Sequence, residues 1–103
     1  MREDDLIRFR HMLDAAREAV EFVRGRTRFD LNRDRQLVLA LVKDIEIIGE
    51  AAYGIPWDDM IGMRHRLFHA YFDIDLDILW KTAQEDLPPL IAELERVTSG
   101  DLS

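Results

Sequence analysis

At 103 residues the chain is long enough for one domain with its own core, and the reading is a single domain over 1–103. Its 48% hydrophobic and 34% charged residues exclude a disordered chain, and its longest unbroken apolar run, Leu37 to Val42, falls far short of a membrane span. A net charge of −7 disfavours nucleic-acid binding through overall charge, and the absence of cysteine excludes disulfides and thiolate metal sites.

The charge is unevenly spread. Residues 1–35 carry nine arginines against eight acids, whereas residues 36–103 carry five bases against thirteen acids. Between Phe22 and Arg35 the balance is +3, which fits either a basic patch or a solvated loop. The N-terminal Met-Arg-Glu-Asp-Asp lacks the apolar core of a signal peptide, so a cytoplasmic location and no membrane association are expected.

Leu6, Phe9, Leu13, Ala16, Val20 and Val23 recur at spacings of three and four, the apolar stripe of a first helix. Asp4 or Asp5 can cap its start, and Gly25 stands where a helix commonly stops. An arginine-rich connection follows, with Asp30 and Asn32 as competing caps for the second helix. Val38, Leu41, Ile45, Ile48 and Ala52 mark one face of that helix, widened by Leu37, Ala40, Ile47 and Ala51, and Gly49 inside it suggests close approach by another backbone.

Gly54 ends the second helix, and Pro56 suits the first turn of a third, from about Pro56 to Tyr71, with Asp58 and Asp59 at its positive end. Asp73 and Asp75 then offer caps for a fourth helix through Leu76, Leu79 and Ala83. The Pro88-Pro89 pair is expected to kink or split it before Leu90, Leu94 and Val97 resume the stripe. No segment alternates like a strand. The fold predicted is all-α, an up-and-down bundle of four main helices.

The chemistry-bearing residues gather in Gly62 to Phe72, which holds two of the three histidines, an arginine pair and a tyrosine. On a helix Arg64 and Tyr71 share a face, but His69 lies roughly 140° around from Arg64 and ~7.5 Å along the axis. One straight helix therefore does not aim both at one atom; a two-fold dimer packing this helix on its own copy does. The residue types suit RNA cleavage without metal. A histidine can take the proton of a ribose 2′-hydroxyl, and an arginine can hold the charge that builds on the phosphoryl oxygens. Tyr71 can bond a phosphate or stack on a base.

Blander readings stand beside this one. An arginine, a histidine and a tyrosine on one helix are often plain surface residues. His65 and His69, four apart, could share a metal, but no acid lies between them and no third ligand is evident, so neither metal nor cofactor is expected. Asp73, Asp75 and Asp77 suit caps better than a metal cluster, and Trp57, Trp80 and Phe72 suit core anchors better than base platforms. Glu46 and Glu50 invite a general-base role or, preferably, a salt bridge to an arginine of the third helix such as Arg64, which makes them second-tier site candidates.

Arg64 to Tyr71 resembles the Arg-x4-His-x-Tyr signature of HEPN-domain ribonucleases of the HepT type, the toxin halves of HepT–MntA toxin–antitoxin pairs. Ile47-Ile48-Gly49-Glu50-Ala51-Ala52, Ile55-Pro56-Trp57, Ile61-Gly62-Met63-Arg64, His69 to Asp75 and Trp80 follow the family pattern in order, and the similarity runs from about Leu6 to Leu94. The resemblance implies a dimeric helical bundle and a metal-independent endoribonuclease acting on tRNA or mRNA, with Arg64 and His69 as the catalytic pair. His65, where the family usually has Asn, becomes a candidate phosphate binder. Tyr71 matches the tyrosine to which an MntA-like minimal nucleotidyltransferase antitoxin adds AMP, and the added charge would repel an RNA backbone. The partners implied are RNA, that antitoxin and a second copy of the chain, with room for a higher assembly. The departure is length: only Tyr53, Gly54 and Ile55 separate the Gly-Glu-Ala-Ala helix from Pro56, where the family has a longer connection. The alternative from another class is a non-catalytic module of the same fold that binds nucleotide or scaffolds a nucleotidyltransferase.

Overall fold

The computed structural model describes residues 3–52 and 75–100. Among them the chain is helical with no strand: α1 (Glu3–Val23), a single turn α2 (Asp30–Arg33), α3 (Arg35–Ala52), α4 (Leu76–Lys81), a π-helical turn (Thr82–Asp86) and α5 (Leu87–Gly100). The last three run on as one rod, so the all-α bundle predicted is the fold observed, with its fourth helix joined from pieces. The third helix, expected from Pro56 to Tyr71, lies outside the described residues.

Helix α1 lies between the other two rods, packing on α3 along one flank and on α5 along the other. Its predicted stripe is buried at Phe9, Leu13, Ala16 and Val23, and Met12, Ala15 and Ala19 are buried beside it. Two neighbours demand a wider apolar arc than one. Leu37, Val38, Leu41, Ile45 and Ile48 answer from α3, and Leu79, Ala83, Leu87, Leu90 and Leu94 from the last rod. Gly25 ends α1 with φ +74°, a left-handed geometry that costs a side chain and suits glycine.

Two capping expectations change. Asp4 and Asp5 lie inside the first turn of α1, where their charge meets the helix dipole. Neither Asp30 nor Asn32 caps the second long helix: Asp34 does, its Oδ1 accepting from the Leu37 amide at 3.1 Å. Asp30 instead folds back to accept from the Thr27 amide at 2.8 Å, closing the turn that becomes α2.

Asp75 caps α4 as predicted, accepting from the amides of Asp77 at 3.0 Å and Ile78 at 3.1 Å. The break expected at Pro88-Pro89 falls just before the pair. Each proline ring in an α-helix presses on the carbonyl four residues earlier, here that of Gln84 or Glu85. Both carbonyls belong to the widened turn, which closes with the Leu87 amide bonded to the Thr82 carbonyl. The strain is absorbed upstream, and the prolines sit in the first turn of α5, where amide hydrogens are dispensable.

Candidate functional site

Residues 53–74 join the end of α3 to the cap of α4, and they contain the predicted chemistry. Arg64, His65, His69 and Tyr71 lie outside the described residues, as do Trp57, Phe72 and Asp73. What is described is the frame on either side. At the end of α3, Ile48 and Gly49 are buried, Glu46 is half-buried and Glu50 is exposed. The Ile-Ile-Gly-Glu stretch therefore turns Ile48 and Gly49 to the core and the Glu50 carboxylate outward. Neither Glu46 nor Glu50 has an ion pair among the described residues, and the expected salt bridge to Arg64 concerns a residue outside them. At the other end, Trp80 is half-buried against the core, the anchoring role expected of it.

The arginine-rich connection is largely neutralised from within. Arg24 pairs with Glu21 at 3.2 Å, Arg26 with Asp34 at 3.5 Å, Arg28 with Asp77 at 2.8 Å, and Arg33 with Asp30 at 3.1 Å while lying over the Phe29 ring. The Thr27 amide and then the Arg33 guanidinium hold the Asp30 carboxyl below its ordinary range. Guanidinium groups already matched to carboxylates offer an RNA backbone less than their number suggests, which favours the solvated loop over the basic patch. Of the three alternate acids, Asp75 caps a helix and Asp77 holds Arg28. Among the described residues no three metal-ligating side chains gather.

One cluster was not anticipated. Between α1 and α3 lies an open hollow of about 250 Å³, lined by His11, Asp14, Ala15 and Glu18 from α1 and by Asp44 and Ile47 from α3. Asp44 is only 3% exposed. Burial first, and then the neighbouring Glu18, push its carboxyl up to about 7 from an ordinary 3.8. The signal is present in the sequence: Asp44 falls three residues after Leu41 and four before Ile48, on the apolar face of α3.

Comparison with known proteins addresses the same stretch of chain. A family model described as Ribonuclease HepT-like matches residues 52–97, which take in Arg64, His65, His69 and Tyr71. The chain is similar to "Probable ribonuclease HepT" of Thermococcus cleftensis, 36% identical over 100 residues, covering 82% of this chain and 91% of the relative. It is also similar to a "Putative RNase" of Methanocaldococcus jannaschii, 32% identical with 84% and 89% covered. A "Putative RNase" of Caldanaerobacter subterraneus is 31% identical, with 84% and 88% covered. No solved structure matches. Among the described residues no helix is long and apolar enough to cross a membrane.

Proposed function

The chain belongs to the HepT-like ribonuclease family, and from that membership we propose that it is a metal-independent endoribonuclease, the toxin of a toxin–antitoxin pair. The observation that carries this reading is the coincidence of the family match over residues 52–97 with an intact Arg64, His69 and Tyr71 at the family's spacing. In the reaction, His69 takes the proton of a ribose 2′-hydroxyl, whose oxygen attacks the adjacent phosphorus. The bond to the 5′-oxygen breaks, that oxygen takes up the proton His69 has removed, and a cyclic phosphate remains. Arg64 gives its fork of N–H donors to the phosphoryl oxygens as charge builds on them. His65 adds a donor to the phosphate. Since helical spacing separates Arg64 from His69, the complete site draws these groups from two copies of the chain. A minimal nucleotidyltransferase partner restrains the enzyme by adding AMP to Tyr71, placing negative charge where the RNA backbone must lie. Glu46 and Glu50, at the α3 end of the frame, hold the arginine rather than the substrate.

His69→Ala tests this directly. Cleavage of a single-stranded RNA by the purified chain should fall by ~10²–10⁴, while the far-ultraviolet dichroism stays that of the parent. Cleavage unchanged by that substitution would remove the enzyme reading, and strong inhibition by a chelator would return attention to His65 and His69 as metal ligands. The net charge of −7 and the internally paired arginines favour a second reading, a module that binds nucleotide or scaffolds a nucleotidyltransferase without cutting RNA. Under it the parent chain binds its partner and leaves RNA intact.

A further inference from the structure

Four ionisable side chains line the hollow between α1 and α3: His11, Asp14 and Glu18 along one face of α1, and Asp44 on α3. Asp44 differs from the rest. It is almost wholly buried, and its Oδ2 finds no hydrogen-bond donor among the described residues. A carboxylate oxygen buried without a donor is strongly unfavourable, so something must relieve it.

A cation seated in the hollow is one remedy, and it fails on position. Oδ2 is closed off from solvent, and no metal-ligating group of three forms among the described residues. A cation there would meet the rim carboxylates and leave Oδ2 as it is. A proton is the other remedy. Glu18 lines the same hollow from the α1 side and acts on Asp44 as a hydrogen-bonding, like-charged neighbour. One proton between two carboxylates supplies the donor that two bare carboxylates lack.

We propose that Glu18 and Asp44 hold one proton in common across the seam between α1 and α3, and that this proton is a pH-sensitive latch between the two helices. Among the described residues the charged and titratable groups around Asp44 are His11, Asp14 and Glu18 of α1 across the hollow, with Lys43 and Glu46 beside it on its own helix. The proton belongs to the pair rather than to either residue. An unfolded Asp44 releases its proton near 3.8, whereas the folded chain keeps it to about 7. Folding therefore takes up a proton between those values, and the folded state loses stability as pH rises through that window. Helix α3 continues from Asp44 through Glu46 and Glu50 into residues 53–74, so the seating of the rod that leads to the predicted chemistry depends on this proton.

The test is carboxyl-carbon NMR titration of the full chain, with thermal melts over the same pH range. Asp44 should titrate near neutrality, and the melting temperature should fall as the proton leaves. Glu18→Gln, at an exposed position that leaves the core intact, removes the opposing charge and supplies an amide donor. It should lower the Asp44 midpoint by about one pH unit or more, a tenfold change in proton affinity. Asp44→Asn, which keeps an amide hydrogen at every pH, should flatten the pH dependence of melting. An Asp44 that titrates in the ordinary carboxylate range, or a midpoint unmoved by Glu18→Gln, overturns the latch. Those two NMR results decide the matter even where Asp44→Asn does not fold.

Discussion

The two flanks of α1 bury polar groups by different means. On the α5 side the buried polar residues are Thr82 and Thr98, and each hydroxyl donates to a carbonyl one turn back on its own rod, Ile78 and Leu94, at 2.8 Å. On the α3 side the buried polar residue is Asp44, with one oxygen lacking a donor. A hydroxyl brings its own proton and can be buried at any pH. A carboxyl must keep one from solution, so its burial is conditional. Both flanks are otherwise lined with apolar side chains, yet their pH responses should differ.

Core truncations should give the largest effects and expose that asymmetry. Leu94 on α5 and Leu41 on α3 are both fully buried. Each replaced by Ala should lose ~2–5 kcal/mol in urea denaturation. The loss at Leu94 should be the same at pH 6 and pH 8. Leu41→Ala loosens the seam that holds Asp44 dry, so the variant's stability should vary less with pH than the parent's. Equal pH dependence in both variants would break the comparison. Asp75→Ala removes two amide contacts at the start of α4 and should cost ~1 kcal/mol, again without a neutral-range pH dependence. Thr98→Val is smaller still: it exchanges a self-satisfied hydroxyl for a methyl of similar shape and should stay within ~1 kcal/mol at either pH.

These contrasts also mark how far the sequence could be read. The stripe from Phe9 to Val23 and the face from Val38 to Ile48 are legible because helical periodicity is local. Met12, Ala15 and Ala19 escape that reading, since their burial needs the knowledge that α1 has neighbours on two sides. Asp34 is passed over as a cap because Asp30 and Asn32 come first, and only the fold of Asp30 onto Thr27 frees Asp34 for the role. The proline pair announces a disturbance but not its place, because the ring acts on carbonyls a turn earlier. Arg64, His69 and Tyr71 are legible as residue types at a spacing. The Glu18–Asp44 pair is not, for it joins two helices, and a charge count assigns both carboxyls to the surface.

The smallest effect should come from the most visible contact between α1 and α5. Arg17 and Glu95 meet at 3.1 Å, but their side chains are 53% and 49% exposed. Water screens the attraction, and fixing two long side chains offsets much of what remains. A double-mutant cycle with Arg17→Ala and Glu95→Ala should give a coupling of ~0.2–1 kcal/mol that fades in 1 M salt. The latch should answer to pH first: Asp44 is buried although Glu18 is exposed, so a proton rather than an ion pair joins the two. A salt-resistant Arg17–Glu95 coupling, or a Glu18–Asp44 one indifferent to pH, would mean that the buried carboxyl is not what separates the two flanks.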